Sequence, residues 1–130
     1  ASDVYKRQEA ALRAAVRSMR ERLEPGGVAL VDPWFEPGQL TDGWISTLVG
    51  RDEELTVVRM SRTVVRGSIS RLEFEYLVGT ASGIERRSEI HELGLFTREQ
   101  MEGALSDAGF VVGRKPETPG TRGVYVGVLA

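Results

Sequence analysis

The side chains that most often carry catalysis are scarce in this sequence. Its 130 residues include no cysteine and a single histidine, His91. Disulfides, thiolate zinc sites and cysteine nucleophiles are therefore excluded, and a His-based metal cluster with them. No G-x-G-x-G or G-x-G-x-x-G turn occurs, so the backbone cradle with which Rossmann-like folds hold a cofactor has no counterpart in the chain. Aromatic, guanidinium and carboxylate groups remain, in three places. Asp32-Pro33-Trp34-Phe35 leaves the apolar run Val28–Val31, Arg122 stands between Gly120 and Gly123, and Arg59 and Ser61 share one face of an alternating segment. Such groups bind and position a ligand.

The elements that must position them read from the hydrophobic period. From Glu9, the residues Leu12, Ala15, Val16, Met19 and Leu23 form one stripe of a helix, and Arg13, Arg17, Arg20 and Glu21 take the solvated face. Pro25-Gly26-Gly27 ends it. Val28–Val31 shows no alternation, the pattern of a parallel-type strand buried on both faces. The carboxyl end of such a strand is where open α/β sheets bind ligands. Glu36–Arg51 is punctuated by Gly and Pro and is expected to pack as a lid or arm through Trp44 and Ile45. Leu55–Val65, Ile69–Val78 and Ile84–Leu93 alternate with period two and short connections, predicting a three-stranded antiparallel meander. Thr97 and Gln100 form a capping box before the stripe Met101, Ala104, Leu105 and Ala108, with Gly109 at C′. Phe110–Val112 and Val124–Leu129 close the chain as two strands.

Composition bounds the class. Apolar residues make up 41% and charged residues 28%, with a net charge of −2. That is ordinary for a single globular domain and lacks the basic field of a general nucleic-acid binder. No apolar run approaches the ~20 residues of a membrane span, and no secretory signal opens the chain, so the expected setting is cytoplasmic. Residues 1–8 lack an initiating Met and read either as foreign, adapter-like sequence or as a helix lead-in. The chain is expected to begin mid-protein, with 9–130 as the C-terminal part of one domain and an insertion at about 55–95.

Three passages carry a family resemblance. Leu23-Glu24-Pro25-Gly26-Gly27-Val28-Ala29-Leu30-Val31-Asp32-Pro33-Trp34 resembles the L-x-P-G-G-x-x-x-x-[DE]-P-W passage of class I S-adenosylmethionine-dependent methyltransferases, where the fourth helix turns into the fifth strand. His91–Met101 with Asp107-Ala108-Gly109-Phe110 is similar to the passage before their last helix. Gly120–Gly127 resembles their close. With the meander between, the nearest subgroup is the TDP-amino-sugar N,N-dimethyltransferases that finish sugars such as desosamine and mycaminose.

The resemblance implies an α/β fold: the C-terminal half of a Rossmann-like methyltransferase with an inserted antiparallel meander. It implies S-adenosylmethionine as cofactor, held mostly by an N-terminal half not present here, and a small-molecule substrate, a TDP-sugar, methylated on its amine. Family members dimerise, so a homodimer is expected; nucleic acid and membrane are not expected partners. The family's catalytic histidine lies upstream of the fourth helix, so His91 does not match it and no catalytic residue carries over. A generic small-molecule N- or O-methyltransferase and a non-catalytic binding or dimerisation module are the alternatives.

Each candidate has a plain structural reading beside the functional one. Trp34 walls the sugar pocket or packs under the following arm. Arg122 clamps a diphosphate with a bidentate pair or is a loop charge. Tyr125 stacks on substrate or, the favoured reading, joins the core. Arg59 and Ser61 reach phosphate or sugar hydroxyls if their face looks into the cleft. Asp32 contacts substrate or closes its strand. Glu73, Glu75, Glu85 and Glu89 pair with Arg71, Arg86 and Arg87 across the meander, and His91 is a hydrogen-bonded strand histidine. Val28–Val31 is expected to keep an unpaired edge. The face of Leu72, Phe74, Tyr76 and Val78 is expected to be covered, and the chain alone is expected not to bind the cofactor tightly or turn over.

Overall fold

The structure, a computed structural model, describes residues 2–130. In chain order its elements are α1 (Ser2–Glu21), β1 (Val28–Val31), β2 (Ile45–Arg51), β3 (Thr56–Arg66), β4 (Ile69–Thr80), β5 (Gly83–Gly94), α2 (Arg98–Asp107), β6 (Phe110–Lys115) and β7 (Val124–Leu129). They form two compact units: residues 2–37 with Leu95–Ala130, and Gly38–Gly94 between them in sequence. The inserted unit thus begins well before the expected residue 55.

In the first unit a three-stranded sheet runs β1-β7-β6, antiparallel throughout. One face carries Ala29, Val31, Val112, Tyr125 and Phe110, packed with Val16, Leu105, Met101 and Leu129 into the core. The sequence stripe of α1 supplies Leu12, Val16, Met19 and Leu23 to that core, while Ala15 stays exposed. The helix starts at Ser2 rather than Glu9, so the segment read as doubtful is helical. The capping box of α2 is present: Thr97 Oγ1 accepts from Gln100 N at 3.1 Å and Gln100 Oε1 accepts from Thr97 N at 2.9 Å. Gly109 follows at φ +99°, as a C′ glycine should.

β1 has one partner and one open edge, as the sequence led us to expect, but its only pairing is antiparallel. Burial on both faces is a correction. Val28 and Leu30 are 52% and 68% exposed, and Val111 and Val128 lie exposed on the same face by register. An unalternated apolar run records the burial a strand is built for, and among the described residues nothing covers that second face.

The second unit is a four-stranded antiparallel sheet, β2-β3-β4-β5. β2 corrects the lid or arm read over Glu36–Arg51. Trp44, 60% exposed, precedes a strand that Ile45, 49% exposed, opens and that pairs with β3 from Ile45↔Arg62 to Arg51↔Thr56. The turn ends at Gly43, whose φ of +80° turns the chain and whose N–H donates to Thr63 O at 2.7 Å. Beyond it, Ile45-Ser46-Thr47-Leu48-Val49 is ordinary strand sequence. The expected pairing of charges across the meander holds for one of these pairs: Arg86 of β5 meets Glu75 of β4 at 3.0 Å, whereas Arg87–Glu85 at 3.1 Å and Arg71–Glu73 at 3.8 Å lie within β5 and within β4. The shorter contact of Glu73 is to Arg62, at 2.7 Å, and Glu89 turns to His91 instead of an arginine.

Candidate functional site

The register of the first sheet builds the site. Val31↔Tyr125 is the last pair of β1 with β7, so Asp32-Pro33 runs on beside the residues that precede β7. Arg122 reaches across this gap: its Nε donates to Pro33 O at 2.6 Å, and its Nη2 lies 3.8 Å from an Asp32 carboxylate oxygen. The guanidinium stacks over Trp34 at 5.1 Å and Phe35 at 5.2 Å, and those two rings meet edge to face at 4.9 Å. Glu36, next along, accepts from the Arg98 N–H at 2.9 Å and so ties the segment to the first turn of α2. The cation and the two rings hold one another in place.

Gly123 makes the approach of Arg122 possible. It sits at φ +80°, and a Cβ there would come 2.7 Å from Lys115 O and 3.1 Å from an Arg114 nitrogen. Arg114 lies beneath, its side chain 12% exposed, 5.7 Å from the Tyr125 ring and 3.0 Å from Glu117. Burial, partly offset by Arg114, raises the Tyr125 phenol above its ordinary value of 10.0.

Trp34 and Arg122, singled out from sequence, are thus brought together at the carboxyl end of β1. Tyr125 takes the favoured of its two readings: it is 2% exposed and part of the core, packed with residues of α1 and α2. The bidentate clamp drawn for Arg122 is narrowed. Nε is committed to a carbonyl, so only its two terminal nitrogens face an incoming anion. Phe35, Glu36 and Gly123 were not foreseen. A second aromatic beside Trp34 and a glycine flanking the arginine were the available signals.

Arg59 and Ser61 lie in the second unit. Register puts them on one face with Phe74, Tyr76, Glu89 and His91. The Arg59 guanidinium stands over the Phe74 ring at 5.2 Å, with its Nε buried and without a hydrogen bond. His91 meets the other edge of Phe74 at 5.4 Å and Glu89 at 3.0 Å, which bears out its reading as a hydrogen-bonded strand histidine. Leu72, Phe74, Tyr76 and Val78 are each half-buried, so that face is not simply turned to water.

Among the described residues no group of His, Cys, Asp or Glu is placed to hold a metal, and no helix is long and apolar enough to cross a membrane. The residues present do not fit S-adenosylmethionine as a cradle. β1 runs into Asp32-Pro33-Trp34 without a glycine, and Pro33 offers no donor.

No protein-family profile matches the chain. It is 40% identical over 120 residues to a dTDP-3-amino-3,4,6-trideoxy-alpha-D-glucopyranose N,N-dimethyltransferase of Streptomyces venezuelae, a match covering 92% of this chain and 51% of the relative. It is 36% identical over 124 residues to a dTDP-4-amino-2,3,4,6-tetradeoxy-D-glucose N,N-dimethyltransferase of Saccharopolyspora spinosa, covering 95% and 50%. Its relatives are amino-sugar N,N-dimethyltransferases. The structural match agrees. SAM-bound CalS10, an amino pentose methyltransferase from Micromonospora echinaspora, superposes with a TM-score of 0.84 at 36% identity over 94% of this chain and 52% of that one. The chain spans about half the length of the curated relatives it matches.

Proposed function

We propose that this chain is the substrate-binding, C-terminal part of a cytoplasmic S-adenosylmethionine-dependent methyltransferase that acts on the amino group of a nucleotide-linked sugar. The observation that carries the reading is the Arg122 guanidinium held over Trp34 and Phe35 at the carboxyl end of β1. A sugar ring stacks on the exposed part of the aromatic pair, and a phosphate meets the terminal nitrogens of Arg122. The sugar and the phosphate that carries it are then both held, which is the placement that in-line transfer to an amine needs. The open edge of β1 and the bare face of Val28, Leu30, Val111 and Val128 suit cover by further strands and helices, and the relatives' greater length supports that.

The test joins this chain to the part of the Streptomyces venezuelae relative that it does not match. N-methylation of dTDP-amino sugars is then assayed. Methylation with a KM raised tenfold or more by Arg122→Ala is the expected result, and a folded fusion with no transfer to any dTDP-amino sugar would contradict the reading.

The inserted sheet supports pairing with a second copy. One of its faces carries Ile45, Val49, Met60, Leu77, Ile84 and Ile90, all exposed, while Arg62–Glu73 and Arg86–Glu75 on the same face neutralise each other. A neutral apolar face suits a self-complementary contact. Sedimentation should show a dimer that Leu77→Glu converts to monomer; a monomeric wild type at high micromolar concentration would remove this part.

A further inference from the structure

The helical layer of the first unit carries a second charged feature, separate from Trp34 and Arg122. Arg13, Arg17 and Arg20 project from one side of α1 and, with Ala104, Asp107, Ala108 and Gly109 of the α2 region, line a groove of about 380 Å³. Sequence alone assigns these arginines to a solvated face. The structure sorts them differently. Arg13 is committed: its Nη1 bonds Asp107 at 2.7 Å, and Glu9 lies 3.8 Å away. The guanidinium groups of Arg17 and Arg20 have no ionic or hydrogen-bonded partner among the described residues.

The floor of the groove is small. Ala104, Ala108 and Gly109 leave the guanidinium groups room, and a Cβ added at Gly109 would come 3.7 Å from Arg20 Nε. Three arginines against the two carboxylates that meet Arg13 leave a local surplus of positive charge, carried by Arg17 and Arg20, in a concavity of ligand size. Two unpaired planar forks, one helical turn apart, match an anion with two linked tetrahedral centres better than a single phosphate or carboxylate. The Asp107 carboxylate, held by Arg13, does not compete for them.

We infer that the groove between α1 and α2 binds the diphosphate group of a small molecule through Arg17 and Arg20. Arg13 and Asp107 fix its wall. Free diphosphate and a nucleoside diphosphate share this chemistry, and the experiment separates them.

The protein is titrated calorimetrically with inorganic pyrophosphate and with uridine diphosphate at low ionic strength. Loss of two charge-assisted contacts should weaken pyrophosphate binding about tenfold or more in R17A/R20A. The charge-matched control R66A/K115A, neither residue lining the groove, should keep wild-type affinity. All three proteins are compared by circular dichroism to establish equal folding. A uridine diphosphate affinity above that of pyrophosphate, lost in R17A/R20A, assigns a nucleotide ligand; equal affinities assign the free diphosphate. Absence of pyrophosphate binding overturns the proposal. So does equal weakening by both double variants, which would mean net charge alone, or tighter binding of hexaglutamate than of pyrophosphate, which would mean an acidic protein partner.

Discussion

At the scale of single residues, Arg122 does two jobs with different ends of one guanidinium. Nε fixes the Pro33 carbonyl, and the plane covers Trp34 and Phe35. Replacing it by alanine frees the segment after β1 and should cost about 1–2 kcal/mol, reduced from the buried value by its partial exposure. Urea titration measures that loss, and Arg122→Lys should recover little of it, since an ammonium cannot both stack and donate in the plane. Gly123→Ala forces a Cβ against Lys115 O at φ +80° and should cost about 1–3 kcal/mol in the same assay. Tyr125 predicts a pH dependence. Burial raises its phenol above 10.0 in the folded state, so the unfolded chain ionises first, and stability is lost as pH rises past 10. The melting temperature of the wild type should therefore fall more steeply between pH 9 and 11 than that of Tyr125→Phe; equal slopes would place the alkaline sensitivity elsewhere.

At the scale of elements, α2 was legible almost residue by residue because its signals are local. A capping hydroxyl, its reciprocal glutamine and a terminal glycine act within one turn. Leu105, wholly buried in that helix, should cost about 2–5 kcal/mol as alanine. β2 was hidden because Pro37, Gly38 and Gly43 precede it and Gly50 interrupts it, so turn chemistry outweighed a five-residue strand signal. β1 was recognised as a strand with a free edge, but neither its neighbour nor its burial could be read, since a strand's pairing depends on residues far along the chain. The candidate site followed the same rule. Trp34 and Arg122 could be named from local context, whereas their contact depends on the Val31↔Tyr125 register. The bare face of β1 and β6 predicts sticking: Leu30→Lys with Val111→Lys should cut dye binding and light scattering while leaving the melting temperature within a few degrees.

At the scale of the molecule, two units divide the labour. One carries the aromatic and cationic turn after β1 together with the α1–α2 groove, and the other a four-stranded sheet with an exposed apolar face. The order of helix, strand, inserted sheet, helix and strand pair was readable from hydrophobic period and turn residues. The similarity to amino-sugar N,N-dimethyltransferases is what the functional proposal adds to that order. The central claim is that this chain supplies substrate contacts and leaves the cofactor cradle to residues outside it. Isothermal titration of the folded 130-residue chain with S-adenosylmethionine tests that claim most directly. The account predicts no binding in the micromolar range; a low-micromolar dissociation constant would show that the cradle lies within this chain and would contradict it.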